Sequence, residues 1–134
     1  MTRDLSGHWS GLYRYGGPAA SWPSVPFSAL LEVEDGLLGG WTEEANTFAP
    51  SGPAILRASI AGEVSGSGIS FAKTYDLRLP QTDIVHYDGT LSGDGRRIDG
   101  TWRFLRHADG QGSFTLRRLP GLTAARRAVA QAGR

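Results

Sequence analysis

Lys73 is the residue whose type and position point most directly to chemistry. It is the only lysine in the chain, and the other thirteen basic residues are all arginine. It lies in the stretch 69–75, where alternation predicts a β-strand with Phe71, Lys73 and Tyr75 on one face. An ammonium that faces an apolar interior is costly unless it is paired, and desolvation lowers its pKa. Such a lysine can anchor an anionic ligand, form a structural ion pair, or act in Schiff-base and proton-transfer chemistry.

A carboxylate and a set of aromatic side chains are predicted to face Lys73. Glu43 is the preferred counter-ion or general base, so Lys73 and Glu43 are the candidate catalytic residues; Glu44 is its substitute if the preceding turn is shorter. Phenolic hydroxyls can bond a polar ligand atom, and tryptophan rings can form flat apolar walls. An interior that these rings simply fill is an equally good interpretation. The candidate ligand-binding residues are Tyr13, Trp41, Glu43, Lys73, Tyr75, Tyr87 and Trp102.

Several other kinds of site are excluded by composition and spacing. Cysteine is absent, which excludes disulfides, thiolate metal sites and cysteine nucleophiles. Three scattered histidines neither build a metal site nor stand in a recognisable catalytic triad. The paired glycines do not open a helix after a strand, as a phosphate-binding loop requires. We therefore expect no metal and no cofactor.

The elements that position these residues are predicted to be β-strands throughout. A length of 134 residues fits one domain, and 19 scattered glycines with seven prolines indicate many tight turns. Short links make sequential strands antiparallel neighbours, so the fold class is all-β, an eight-stranded up-and-down meander. Such a sheet can close into a barrel that fills its interior or holds one small ligand. The eight runs are residues 7–15, 27–33, 37–45, 55–64, 69–75, 84–91, 98–105 and 112–118.

The strand register follows from turn lengths and from matching apolar faces. Two-residue turns set Ile60 opposite Lys73 and Tyr87 opposite Trp102. Matching the apolar faces of the remaining neighbours sets Lys73 opposite Tyr87 and Trp102 opposite Leu116. All four tyrosines then fall on the inner side of the barrel.

The turn at residues 34–36 is predicted to have three residues, with Gly36 in the left-handed conformation. This register turns Trp41 and Glu43 inward, whereas a two-residue turn would turn Glu44 inward. Glycines on the inner face either leave room in the wall or permit the sharp coiling of a small barrel. Those glycines are Gly39, Gly62, Gly89 and Gly100.

The first and last strands carry a resemblance to a known superfamily. Gly7, His8 and Trp9 open the first strand, and an arginine ends the last. With the meander between them, they resemble the calycins, the superfamily of lipocalins, fatty-acid-binding proteins and avidins. In lipocalins this tryptophan packs across the closed end of the barrel against a basic residue, a position that Arg118, or else Arg117, matches here.

Within the calycins, the avidins are the most similar in length and loop economy. Residues 98–102 look like an avidin strand that bears a pocket tryptophan, but an avidin's biotin site does not map onto this chain. The chain also lacks the lipocalin disulfides and signal peptide and the two-helix lid of fatty-acid-binding proteins. The resemblance implies a barrel over residues 5–118, followed by a basic tail at 119–134 with a candidate helix at 122–132.

Charge and hydropathy bear on partners and location. Residues 1–116 carry 13 acidic and 9 basic side chains, whereas residues 117–134 carry five arginines and no acid. A basic tail can attract nucleic acid or anionic lipid, but the body is not basic, so a nucleic-acid partner is not favoured. No apolar leader or membrane-length apolar stretch occurs, so we expect a cytoplasmic protein without a membrane partner. The polar outer face fits a monomer, and Leu12 or Leu30 could join a homodimer patch.

These observations favour one function and leave two alternatives. We expect the barrel cavity to bind a small, largely apolar molecule with one polar or anionic group held near Lys73 and the tyrosines. The first alternative is a cavity enzyme of the isomerase or cyclase type, with Lys73, Glu43 and a tyrosine as acid and base groups. The second is a filled structural or interaction module whose arginine tail binds a partner. The binding hypothesis predicts a cavity of a few hundred Å³.

Overall fold

Eight β-strands follow one another along the chain and close into a barrel. A computed structural model describes residues 5–47, 51–76, 84–106 and 110–120. Every strand pairs antiparallel with the next, and the last pairs with the first, so the predicted up-and-down barrel is confirmed. The strands are β1 Gly7–Tyr15, β2 Val25–Glu34, β3 Leu37–Ala45, β4 Ile55–Ser65, β5 Gly68–Tyr75, β6 Val85–Leu91, β7 Arg97–Phe104 and β8 Gln111–Arg118.

Helical structure is limited to one 3₁₀ turn, Gly17–Ala19, within the ranges that the structure describes. No helix in those ranges is both long enough and apolar enough to cross a membrane. The candidate helix at 122–132 lies outside the described residues.

Burial alternates along the strands because successive side chains point to opposite faces of a sheet. In β5, for example, Ile69, Phe71, Lys73 and Tyr75 are buried, while the residues between them are more exposed. The buried apolar residues of all eight strands form one core inside the barrel. The predicted separation into an inner and an outer face is confirmed for the strands other than β3.

The two ends of the barrel differ in how they are covered. We call the closed end the one with the tight turns after β2 and β4, where the segment before β1 crosses the barrel. There Trp9 Nε1 donates a hydrogen bond to the Leu5 carbonyl at 3.0 Å. The Arg118 guanidinium lies 5.7 Å from the centre of the Trp9 ring and donates to the Ser6 carbonyl at 2.8 Å. The pairing of Trp9 with Arg118 is thus confirmed. The longer connections lie at the opposite, open end.

Of the five predicted strand registers, two are right and three are wrong, and two of the wrong ones follow long connections. Ile60 lies opposite Lys73, and Tyr87 lies opposite Trp102, as the tight turns required. Lys73 lies opposite Val85 rather than Tyr87, and Trp102 lies opposite Gly112 rather than Leu116. Longer connections join these strands, so no turn geometry fixes their register. These two shifts span an even number of residues, so the side chains of β5, β6, β7 and β8 keep their predicted faces.

The turn between β2 and β3 has two residues, and the predicted three-residue loop is wrong. Asp35 has a φ of 51° and Gly36 a φ of 79°, and Glu34 lies opposite Leu37. Positive φ at both central residues is typical of the type I′ hairpin turn, for which Asp-Gly is a preferred dipeptide. The register of β3 is consequently shifted by one residue relative to the prediction, so each of its side chains lies on the face opposite to the predicted one.

Glycines on the inner face do not leave room for a ligand. A Cβ added to Gly62 would lie 2.7 Å from Phe71 Cβ, and one added to Gly89 would lie 2.9 Å from Phe114 Cζ. Neighbouring side chains therefore already occupy this space. Gly39 was predicted to face inward, but it points outward because the register of β3 is shifted.

Candidate functional site

Lys73 lies inside the barrel, with only 1% of its surface exposed. Its Nζ atom is 2.6 Å from Glu44 Oε1, and both side chains are almost fully removed from solvent. The residues come from β5 and β3, which are separated by β4 in the sheet. Glu44, rather than Glu43, is therefore the counter-ion of the only lysine.

Three tyrosines complete the hydrogen bonds of this ion pair. Tyr75 Oη donates to Glu44 Oε1 at 2.8 Å, and Tyr13 Oη donates to Oε2 at 2.6 Å. Lys73 Nζ donates to Tyr87 Oη at 3.4 Å, in addition to its bond with Glu44. The carboxylate thus accepts three hydrogen bonds, as a charge buried away from water requires.

Aromatic rings enclose the remaining sides of the ammonium. Lys73 Nζ lies 4.8 Å from the ring centre of Tyr75, 5.2 Å from Tyr13, 5.4 Å from Phe27 and 5.7 Å from Tyr87. A cation within about 6 Å of a ring centre is attracted by the negative face of the ring. The rings and the carboxylate together replace the hydration shell of the ammonium.

The protonation states follow from burial and from these neighbours. Burial alone would lower the pKa of Lys73, but the oxygens of Tyr87, Tyr75 and Glu44 outweigh it and raise the pKa overall. The raised pKa keeps Lys73 an ammonium at neutral pH, and its Nζ atom lies 2.6 Å from the Glu44 carboxylate. Burial raises the pKa of Tyr13, Tyr75 and Tyr87. The site therefore consists of an ammonium, a carboxylate and neutral phenols.

Trp41 and Glu43 do not belong to this site, and their predicted inward placement is wrong. The two-residue turn sends both side chains to the outer face. Trp41 is 37% exposed, and the Arg57 guanidinium lies 4.5 Å from its ring centre. Glu43 is exposed and lies opposite Arg57 on β4. The Asp35-Gly36 dipeptide is the sequence signal that could have identified Glu44 in place of Glu43.

Thr42 is a further buried polar residue that the sequence did not single out. It lies on the inner face of β3, two residues before Glu44, and is 2% exposed. Its hydroxyl has no hydrogen-bond partner among the residues that the structure describes. A buried hydroxyl without a partner costs free energy, so this position offers an acceptor or donor that the core does not use.

The same three tyrosines and the predicted Trp102 also line a small cavity at the open end. Tyr13, Tyr75, Tyr87 and Trp102 line it with Tyr15, Val85 and Phe104, and its volume is about 10 Å³. This is about the space that one water molecule requires. It falls far below the few hundred Å³ that the binding hypothesis predicts.

Aromatic rings plug the open end above this cavity. Trp102 packs edge-on against Tyr13 at 5.8 Å and against Tyr15 at 5.5 Å between ring centres. Trp102 Nε1 donates to the carbonyls of Arg14 at 3.1 Å and Ser113 at 3.2 Å, which fixes the indole. Trp22 is 60% exposed and rests on Tyr15, with 5.1 Å between ring centres.

His86 lies outside the barrel beside a serine and a carboxylate, but the arrangement is not a catalytic triad. Ser70 Oγ is 3.3 Å and Asp88 Oδ1 is 3.7 Å from the same atom, His86 Nε2. A triad histidine contacts its serine and its carboxylate through different ring nitrogens. No three histidine, aspartate or glutamate side chains form a possible metal site within the described ranges.

No family model matches the chain, and no curated protein matches it. The closed antiparallel barrel with its eight strands fits the calycin kind of fold.

Proposed function

We propose that this protein is a non-catalytic binding module built on a filled, calycin-like barrel, with recognition carried by its outer surface. The observation that carries the proposal is the pairing of Lys73 with Glu44 at 2.6 Å in an interior whose cavity at the open end measures about 10 Å³. The only cation inside the described barrel is thus neutralised by the protein itself. An anionic ligand group would find no uncompensated charge there.

The protonation states argue against an enzyme that uses Lys73. Schiff-base chemistry requires a neutral amine, whereas the raised pKa of Lys73 keeps it an ammonium. The phenols of Tyr13 and Tyr75 are committed as donors to Glu44, and their raised pKa values keep them protonated. The cavity that adjoins these groups among the described residues has a volume of only about 10 Å³.

The buried network has an architectural role under this proposal. Replacing a buried ion pair by apolar residues is often neutral or stabilising, so such a pair is weak support for stability alone. Here it joins β3 to β5 across the interior, and a slip of β3 by one residue would bury Glu43 and expel Glu44. The network therefore disfavours registers that leave Lys73 without a carboxylate, while the two-residue β2–β3 turn decides that Glu44 rather than Glu43 supplies it.

Native mass spectrometry of the purified protein tests this proposal. We expect the mass of the polypeptide alone, with no small molecule released on denaturation. A stoichiometric small molecule that is lost in a Tyr87→Phe variant would overturn the proposal, because Tyr87 lines the interior cavity. A Trp41→Phe variant serves as the control, since Trp41 lies on the outer face.

A second candidate, binding of a small molecule at the open end, is favoured by the hydroxyl of Tyr87. This hydroxyl lines the cavity and accepts from Lys73, but its own proton has no acceptor among the described residues. A ligand would then present a neutral acceptor rather than an anion. Entry would require Tyr15 and Trp22 to swing outward. The same mass-spectrometric experiment decides between the two candidates.

A further inference from the structure

A groove of about 420 Å³ runs over the outer face of β1, β8 and β7. Three arginines border it, Arg14 from β1, Arg97 from β7 and Arg117 from β8. Its volume lies within the range that small-molecule sites occupy, roughly 300–1,000 Å³. The groove is thus large enough for a small ligand, in contrast to the interior.

One of the three arginines, Arg14, has no ionic partner among the described residues, whereas the charge of Arg117 acts on the Asp99 carboxylate and helps to lower its pKa. Arg97 Nε is 2.7 Å from Asp99 Oδ2, and this pair is about half exposed. Neither Arg14 nor Arg117 forms an ion pair or a side-chain hydrogen bond within the part of the chain that the structure describes. The groove therefore carries an excess of positive charge, with Asp99 as its one carboxylate.

Strand register places like charges side by side in this groove. Arg97 lies directly opposite Arg117 in the β7–β8 pair. Like charges directly opposite each other on neighbouring strands are destabilising. Asp99 already offsets part of this repulsion, because its carboxylate interacts with both arginines, and a bound anion would offset more of it.

Hydroxyl groups supply further donors along the same groove. Thr115 Oγ1 donates to Asp99 Oδ1 at 2.7 Å and so helps to hold that carboxylate in place. Ser10 and Ser113 also line the groove, and their hydroxyls have no partner among the described residues. Ser10 lies opposite Arg117, and Ser113 lies opposite Arg14, so each of these hydroxyls accompanies an arginine of the groove.

We propose that this groove binds the phosphate group of a small phosphorylated molecule. Guanidinium groups present a planar fork of donors that matches two phosphate oxygens, and serine hydroxyls can bond the remaining oxygens. Arg117 and Arg97 hold the phosphate, and Arg14 holds a second anionic group at the far end of the groove. This inference gives the proposed outer-surface recognition a location and a ligand chemistry.

The inference is tested by titrating the protein with inorganic phosphate and with pyrophosphate at low salt. Amide chemical shifts and calorimetry measure the binding. We expect saturable pyrophosphate binding with a Kd below about 1 mM and shifts confined to β1, β7 and β8. Arg117→Gln and Arg14→Gln should each weaken binding roughly tenfold or more, because each loses a charged donor. Arg103→Gln is the matched control: it removes the same charge from an exposed position of β7 outside the groove.

Equal loss of affinity in Arg103→Gln and Arg117→Gln would overturn the site, because diffuse charge attraction would then explain the binding. The site would also be overturned if saturating pyrophosphate caused no localised change in amide chemical shifts. Binding of a DNA strand that pyrophosphate does not displace would overturn it too. Sedimentation with phosphatidate vesicles, against phosphatidylcholine vesicles, shows whether a lipid headgroup supplies the phosphate. If the groove does not bind phosphate, this inference fails but the proposal of a filled barrel is unaffected. If mass spectrometry finds a ligand in the interior, the proposal of a filled barrel fails but the groove site is unaffected.

Discussion

Lys73 and Glu44 neutralise each other at 2.6 Å although they lie on strands that are not neighbours. The strand between them, β4, presents the small residue Ala58 at this level, opposite Thr42 on one side and Tyr75 on the other. The small side chain lets the long side chains of β3 and β5 meet in front of it. The pair therefore reports directly on the register of three consecutive strands.

Removing one partner of the pair should destabilise the fold strongly. Lys73→Met leaves the Glu44 carboxylate buried without its counter-ion, and we expect a loss of about 3–5 kcal/mol in the free energy of unfolding. The double variant Lys73→Met/Glu44→Gln should lose clearly less than the sum of the two single variants. Urea unfolding of all four proteins measures this coupling. Simple additivity would show that the two side chains do not interact.

An exposed ion pair provides the comparison for that experiment. Arg97 Nε and Asp99 Oδ2 are 2.7 Å apart, close to the 2.6 Å of the buried pair, but their side chains are 52% and 47% exposed. Because water solvates and screens such pairs, Arg97→Gln should change the free energy of unfolding by less than about 1 kcal/mol. A loss as large as that of Lys73→Met would contradict the distinction between buried and exposed pairs.

Two adjacent glutamates give a matched test of the β2–β3 turn. Glu44 is buried and bonded to Lys73, whereas Glu43 is exposed on the opposite face of the same strand. Glu44→Gln should therefore destabilise by several kcal/mol, and Glu43→Gln should stay within about 0.5 kcal/mol of the parent. Thermal or urea unfolding of both variants measures the difference. The reverse order would restore the three-residue turn.

Alkaline pH should unfold the protein cooperatively. Tyr13, Tyr75 and Lys73 have pKa values raised above their ordinary 10.0, 10.0 and 10.5, so the folded state holds these protons more tightly than the unfolded state does. The resulting stabilisation is fully present below about pH 10 and is lost as the pH rises further. Ultraviolet absorbance of tyrosinate, recorded with circular dichroism, should show the buried tyrosines ionising together with unfolding. Their ionisation near pH 10 in a folded barrel would contradict their burial.

The β2–β3 turn depends on a glycine with positive φ. Gly36 has a φ of 79°, and a left-handed conformation costs a residue with a side chain about 1–2 kcal/mol. Gly36→Ala should therefore lower the unfolding midpoint. Gly39→Ala is the control, because its added Cβ meets nothing within 4 Å and its φ is not positive. Equal effects of the two variants would argue against the type I′ turn.

Much of the fold could be predicted from alternation and tight turns. Each strand has a clean apolar face, and two-residue turns fix a register to the residue, so Ile60 with Lys73 and Tyr87 with Trp102 were right. The registers after long connections were wrong because apolar matching tolerates shifts of two or four residues. These errors did not change which side chains of β5–β8 face inward, so the inward placement of Lys73 and the tyrosines was right.

The candidate site was predicted less well because its details depend on packing. Residues 34–36 fit either a two- or a three-residue turn, and both turns bring a glutamate inward. A three-residue turn would turn Trp41 to the inner face of β3, beside the positions that Gly40 and Thr42 occupy. A Cβ added to Gly40 would clash with the Leu30 carbonyl oxygen on β2, and only the assembled barrel shows this close approach of the two strands. The sequence left a filled and an open interior as equally good interpretations, because the choice depends on rings such as Phe71 covering the glycines of neighbouring strands.

The most direct measurement of the central claim uses the fact that the chain has one lysine. Protein labelled with ¹⁵N in lysine alone gives a single Nζ signal, which reports on Lys73 without ambiguity. We predict an ammonium signal whose protons exchange slowly and that stays protonated until the protein unfolds at alkaline pH. A lysine that exchanges freely with water and titrates in the folded protein at or below its ordinary pKa of 10.5 would contradict the buried Lys73–Glu44 pair.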